Sequence, residues 1–201
     1  MKKIFTLAAL IAIGFGANAQ QEVKYGPKAG VNFASLSNVD NCKSLTSFYV
    51  GAVAEIKFND KFSVQPELIY SSQGVKSEIS ILGISASRTQ KVDYINIPIL
   101  AKYYVYKGFS VEVGPQFGFL VKAEGEGNVS ASGVSGSDKS DNKDNFESFD
   151  FGIGAGLAYD LTNGFFVNAR YNFGLTKVGK ADTYFASSKN EVIQVGVGYK
   201  F

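Results

Sequence analysis

The 201-residue chain has no histidine and no tryptophan, one cysteine and one methionine. Without histidine there is no Ser-His triad, no imidazole metal ligand and no side chain that ordinarily titrates near neutrality. A lone cysteine, Cys42, supports neither an intrachain disulfide nor a cysteine zinc cluster. An excess of either charge is also missing. The chain has 20 Lys and Arg against 18 Asp and Glu, and setting aside Lys2 and Lys3 leaves the two signs equal. Balanced charge gives no electrostatic case for nucleic acid as a partner. Long apolar runs are absent after the first stretch, Ile4 to Phe15. That stretch is too short for a bilayer-spanning helix, which needs about 20 residues.

The first twenty residues, MKKIFTLAALIAIGFGANAQ, instead join a basic start, a short apolar segment and the small-x-small site Ala17-Asn18-Ala19. This pattern predicts a secretory signal peptide at 1–19 and one mature domain at 20–201. Gln20 stands where a lipid-anchored protein would carry cysteine.

What the mature chain does have is alternation. Period-two patterning predicts eight strands near 25–34, 48–58, 62–72, 92–105, 109–122, 148–161, 165–175 and 191–201. Short connections at 59–61, 106–108 and 162–164 alternate strictly with long polar ones at 35–47, 73–91, 123–147 and 176–190. In an up-and-down array this puts every long loop at one end, and every short turn with both termini at the other. Outer-membrane barrels sort their connections this way, with short periplasmic turns and longer external loops.

The two phases of each strand differ in kind. One carries no charge, as in Val31, Phe33, Val50, Leu68, Ile97, Ile99, Val113, Phe117, Ile153, Leu157, Val167 and Val195. Its aromatic residues gather beside the turns (Phe58, Phe62, Tyr103, Phe109, Tyr159, Phe165) and beside the long loops (Phe33, Phe48, Tyr70, Phe119, Phe149, Phe173). Two aromatic girdles around an aliphatic belt match the two faces of a bilayer. The other phase is small and polar. It holds many glycines, and Lys28, Lys57, Lys102, Arg170 and Lys200 against Glu55, Glu67, Glu112, Asp150 and Asp160. An eight-stranded barrel is just wide enough inside for side chains to fill it. The expected fold is therefore an all-β, eight-stranded antiparallel up-and-down transmembrane β-barrel, apolar outside and polar inside.

Lys28, Glu55, Glu67, Lys102, Glu112 and Arg170 fall near mid-strand on the inner phase and form the predicted lumen charge network. Arg170 and Lys102 are expected to bond Glu67 or Glu112, since an unpaired ion there would cost several kcal/mol. Pro66, Pro98 and Pro115 lie within strands and lack a donor, so local bulges are expected there, or positions whose N–H faces no partner. Residues 123–145, rich in Gly, Ser, Asp and Asn, read as a solvated mobile loop. Asp138, Asp141 and Asp144 within it miss the calcium-loop spacing. GIGAG at 152–156 lacks the nucleotide-binding GxGxxG spacing. No metal and no cofactor are expected.

Lys28-Ala29-Gly30-Val31-Asn32, QPELIYSSQG (65–74), YINIPILAKYY (94–104), GPQFGF (114–119), GIGAGLAYDL (152–161) and VNARYNFGL (167–175) resemble the PorT-like, porin-family outer-membrane β-barrel proteins. The eight-strand plan also resembles OmpA- and OmpX-type barrels. The carboxy-terminal VGVGYKF, with Tyr199 and Phe201, resembles the signal read by the barrel assembly machinery. The resemblance implies the outer membrane of a Gram-negative bacterium, with periplasmic termini. It implies lipid and the assembly machinery as partners, and an extracellular or envelope protein as a candidate partner. The family name suggests a pore and its namesake serves secretion, but no residue here matches a functional motif. The function expected is a structural or interaction scaffold with a plugged lumen, not an enzyme. The alternatives are a narrow channel for ions or small solutes and a secretion-associated protein.

Overall fold

The computed structural model describes residues 22–39, 42–81, 84–131 and 134–201. The signal segment expected at 1–19 lies outside the described residues. The strands are β1 (Glu22–Leu36), β2 (Cys42–Lys57), β3 (Phe62–Ile81), β4 (Ile84–Tyr106), β5 (Phe109–Ala131), β6 (Val134–Asp141), β7 (Phe149–Asp160), β8 (Phe165–Gly174) and β9 (Asn190–Tyr199). A single 3₁₀ turn, Lys143–Asn145, follows β6.

The sheet closes on itself. Its order is β4-β3-β2-β1-β9-β8-β7-β5-β6, and β4 also pairs with β5. Eight strands therefore form an antiparallel ring, with β6 outside it as an annex to β5. The seam between β1 and β9 runs from Lys28↔Gly198 to Leu36↔Asn190. Beyond β9, the Phe201 N–H donates to the Tyr25 carbonyl at 2.9 Å. Closure satisfies backbone groups that lipid cannot.

Two of the long connections are not loops. β3 and β4 stay paired from Gln73↔Val92 up to Ile81↔Ile84. β5 and β6 pair from Glu124↔Asp141 to Ala131↔Val134. The solvated loop expected at 123–145 is thus largely a β-hairpin. Backbone pairing needs no continuous apolar face, and the few apolar residues of these segments, such as Val75, Ile79 and Ile81, stand among many serines, glycines and charges, so they do not mark strands. Cross-strand charges support them: Glu126 on β5 meets Lys91 on β4 at 3.0 Å and Lys139 on β6 at 2.9 Å.

Of the two expectations for the prolines, the bulge is not met, since no register shift falls at any of them. Pro66↔Ile99 and Ile69↔Asn96 share one register, as do Pro98↔Gln116 and Ala101↔Val113. Pro115↔Ile153 sits in an unbroken ladder. A proline removes one donor but inserts no residue, so it can cost a rung without moving the register. The shifts occur instead between Ser44 and Tyr49, Asp93 and Tyr94, and Tyr104 and Tyr106. At the short-turn end, Gly108 (φ 74°) and Gly164 (φ 89°) adopt the left-handed conformation that tight turns demand.

The outer face is the apolar one. Val31, Val50, Leu68, Ile99, Val113, Ile153, Leu157, Val167, Val195 and Val197 are all exposed on it. Phe58, Phe62, Tyr103, Tyr159 and Phe165 are exposed near the turn end, and Phe33, Phe48, Phe119, Phe149 and Phe173 near the hairpin end. The Tyr199 ring lies 5.0 Å from both Phe165 and Phe201, and Phe201 lies 6.0 Å from Tyr25.

Candidate functional site

The candidate site is the barrel interior. Glycines on the inner phase make room for it. Arg170 on β8 pairs with Gly156 on β7, which pairs with Glu112 on β5. With no side chain at 156, Arg170 lies across β7, and its Nε donates to Glu112 Oε1 at 2.8 Å. Lys28 on β1 has Gly51 on one side and Gly198 on the other. Tyr49, Gly30, Gly196 and Asn168 form one row across four strands. The Tyr49 ring spans the two glycines, and its hydroxyl lies 3.4 Å from Asn168 Oδ1.

Charges are brought together in two layers. In the central layer Arg170 Nη1 and Nη2 donate to Glu67 Oε2 and Oε1 at 2.9 and 2.8 Å. Lys28 Nζ donates to the same carboxylate at 3.1 and 3.2 Å, and Gln65 Nε2 at 2.7 Å. The side chains of Lys28, Glu67, Glu112 and Arg170 are all 0% exposed. Two cations meet two carboxylates, so the layer is neutral. In ring order β3 and β8 are diametrically opposite, so the Glu67–Arg170 pair crosses the full width of the barrel.

The second layer lies toward the short turns. Lys200 bridges Glu55 and Asp160, reaching Asp160 at 2.8 Å. The Tyr104 hydroxyl lies 2.6 Å from Asp160 Oδ2 and also contacts Glu55, and Ser63 donates to Glu55 at 2.7 Å. Lys102 is the Cα partner of Glu112, yet its amino group turns away from it. Arg170 already holds Glu112, and Lys102 donates to Gln65 at 3.2 Å and lies 3.7 Å from both Glu55 and Asp160. This differs from the expected bond to Glu67 or Glu112. Asp160 and Lys200, inner-phase charges outside the expected network of six, complete this layer.

Above the central layer the interior is lined mainly by amides and hydroxyls, with one buried carboxylate, Asp150, which accepts from Thr176 Oγ1 at 2.8 Å and from Asn190 Nδ2 at 3.1 Å. Asn32 donates to Ser71 Oγ at 3.0 Å and to the Ser72 carbonyl at 2.7 Å, and accepts from Gln194 at 3.0 Å. Asn172 donates to Gln194 at 2.8 Å. Higher still it turns apolar. Leu36, Val75, Val92, Tyr94, Leu120, Ala123, Phe146 and Val178 form a buried cluster. Phe146 and Val178 reach it from the segments outside β6 and β8. Phe146 bridges to Gly179, and Glu147 N–H donates to the Val178 carbonyl at 2.9 Å.

A closed eight-strand ring with a lipophilic exterior and an ion-paired interior defines an integral β-barrel membrane protein. The chain belongs to the outer membrane protein beta-barrel domain family, whose model matches residues 18–179. Among solved structures it is similar to Ail, the attachment invasion locus protein of Yersinia pestis, at 17% identity over 90% of this chain and 99% of that one, with a TM-score of 0.49. It is similar to Neisserial surface protein A at 16% identity, 90% and 99% coverage and a TM-score of 0.48. It is also similar to CarO of Acinetobacter baumannii at 12% identity, 87% and 97% coverage and a TM-score of 0.47. No curated protein matches it significantly.

Proposed function

We propose that the protein is a small outer-membrane scaffold with a closed lumen, which holds its long hairpins clear of the lipid as a surface for partners. The observation that carries this reading is the central ion layer. Glu67 and Arg170 join opposite sides of the barrel with fully buried side chains, and Lys28 and Glu112 complete the layer. Charges desolvated to that degree persist only when paired and hydrogen-bonded, and here they occupy the space a solute would need. In this reading the short turns and both termini face the periplasm and the hairpins face outward. Tyr199 and Phe201 then lie at the inner interface, where the barrel assembly machinery would meet them. The PorT-like resemblance of the strand and turn motifs supports the architecture and assigns no activity.

The test is a planar-bilayer recording of the unmodified protein. The expected result is a silent membrane with rare, brief events. A steady open conductance of the kind a general diffusion porin gives would overturn the closed lumen and leave a channel in its place.

A further inference from the structure

A cavity of about 490 Å³ opens at the short-turn end, below the Lys200–Asp160 pair. Five lysines line it (Lys24, Lys57, Lys61, Lys107 and Lys200), against the carboxylates of Asp60 and Asp160. One of the two carboxylates is already engaged, and Asp60 is left to offset one of the remaining lysines. Asp160 is held by Lys200 at 2.8 Å and by the Tyr104 hydroxyl at 2.6 Å. Of the cations, Lys24 pairs with Glu22 at 3.1 Å. Lys57 has only a ring beneath it, with its amino group 5.2 Å from the centroid of Tyr104. Among the described residues, Lys57, Lys61 and Lys107 have no ion pair. Three ammonium groups without an ion pair, against one remaining carboxylate, therefore converge on one concavity.

From this geometry we infer that the turn-end vestibule binds a phosphate-bearing ligand. Ammonium groups are compact charges with freely rotating donors, suited to a tetrahedral, multiply charged anion. The lining holds no arginine fork of the kind that grips a planar carboxylate in two parallel bonds. The cavity lies within the roughly 300–1,000 Å³ range of organic ligand sites, so it has room for more than a bare phosphate. Tyr106, 72% exposed, and Phe165 stand at its edge as surfaces for the organic part. A phospholipid headgroup and a soluble phosphorylated compound share this chemistry. The second layer's Lys200, Asp160 and Tyr104 form one wall of the site, but the site needs neither the central layer's closure, which carries the scaffold reading, nor the barrel's orientation.

The test uses the full protein in detergent micelles at low ionic strength, with inorganic pyrophosphate as the calorimetric probe. The wild type is expected to saturate at a single site. A combined Lys57→Gln, Lys61→Gln, Lys107→Gln variant is expected to lose affinity by about tenfold or more, because the attraction is mainly coulombic. A matched variant at the opposite end, Lys43→Gln, Lys76→Gln, Lys143→Gln, loses the same charge and is expected to bind as wild type does. Replacing the three turn-end lysines by arginine is expected to retain binding. Far-UV circular dichroism establishes that each variant is folded. Displacement of pyrophosphate by short-chain phosphatidylglycerol would support the inference with a lipid headgroup as the source, and failure to displace it would support it with a soluble one. Absence of saturable pyrophosphate binding, equal loss in both triple variants, or tighter binding of a short polyglutamate peptide would overturn it.

Discussion

Arg170 reaches Glu112 across β7, where the row between them holds Gly156. The three residues share one row of β5, β7 and β8. A Cβ at position 156 would stand 3.1 Å from the Arg170 Cβ and 2.4 Å from the Ala169 carbonyl oxygen. Farther along, the Arg170 chain runs over Gly154, where a Cβ would stand 3.1 Å from its Cδ and 3.7 Å from its Cγ, so the two glycines together leave it room. The central ion layer depends as much on what is missing from the inner wall as on the charges attached to it.

Arg170→Ala leaves the Glu67 and Glu112 carboxylates with Lys28 as their remaining cation in that layer. Breaking a buried pair in this way is expected to destabilise by about 3–5 kcal/mol, read from urea unfolding of the protein in lipid vesicles. Replacing the whole layer with Lys28→Met, Glu67→Gln, Glu112→Gln and Arg170→Met is expected to recover much of that loss, since no unpaired charge remains. A loss below about 1 kcal/mol for Arg170→Ala, the value of a water-screened pair, would mean that the lumen is hydrated.

A second row tests the same design without charge. A Cβ at Gly196 would lie 2.0 Å from the Tyr49 hydroxyl and 2.5 Å from the Ala29 carbonyl oxygen. Gly196→Ala is expected to cost about 1–3 kcal/mol through overpacking, measured in the same unfolding experiment. Adding Tyr49→Ala is expected to leave part of the cost in place, because the backbone clash with Ala29 remains. Wild-type stability in Gly196→Ala would show that the seam between β1 and β9 can yield.

The barrel itself was legible in the sequence because its two faces meet opposite solvents. Val31, Phe33 and Val195 need lipid, while Lys28, Glu67 and Arg170 need each other, and a period of two records both demands. The upper hairpins were not legible, because only their lower ends, at Val75 and Val92, meet the apolar cluster, and farther out little burial forces alternation on Ser77, Ser87 or Ser137. Ion partners were open for a related reason. Phase says which side of the wall a residue occupies, but not its height. Lys102 and Glu112 are cross-strand neighbours, yet Lys102 points down to Gln65. The apolar cluster did leave a trace. Leu36, Val75, Val92, Tyr94 and Leu120 all lie on the inward phase just beyond the outer girdle, but Val53, Ile69, Leu100 and Phe166 are buried on that phase lower down, so phase alone did not single the cluster out. Phe146 and Val178 could not be assigned to it, because they arrive from outside the strands.

Glu78 offers a pH test above the belt. Hydrogen bonds from Lys43 and then Lys76, at 2.8 and 2.6 Å, hold its carboxyl down to about 2. A depressed carboxyl contributes above its unfolded value, and the contribution disappears as pH falls through the folded one. The cross-strand bridge from β2 to β3 should therefore survive acidification past the ordinary glutamate range, near 4, and be lost only toward 2. A carboxyl carbon NMR titration is the check. Lys43→Gln and added salt should each move the midpoint upward, because the pair is exposed and readily screened. A wild-type midpoint at the ordinary glutamate value would refute the bridge.

Orientation can be read by labelling. In a Cys42→Ser background, Ser137→Cys places a thiol on β6 and Asn163→Cys places one in the turn between β7 and β8. With hairpins outward, a membrane-impermeant thiol reagent should label Ser137→Cys on intact cells, and Asn163→Cys only after the outer membrane is breached. The reverse pattern would invert the topology.

The interior has two different kinds of barrier in series, and their combination predicts a non-additive result. The ion layers fill the lumen with paired side chains. Above them, Phe146 and Val178 close an apolar cluster, with the Phe146 and Phe185 rings stacked 5.4 Å apart. An apolar constriction can block ions by excluding water even where it is not sterically sealed. Opening the charge layers with Arg170→Ala and Lys200→Ala should therefore leave a planar bilayer silent, because the apolar barrier remains. Phe146→Ala alone should also be silent, because both ion layers remain. All three substitutions together should conduct. Large-to-small changes at a buried phenylalanine cost about 3–5 kcal/mol, so each variant must first show the β-sheet circular dichroism of a folded barrel. If the two lumen substitutions alone conduct as well as all three, the apolar cluster is packing and not a barrier. If Phe146→Ala alone conducts, the ion layers do not close the lumen.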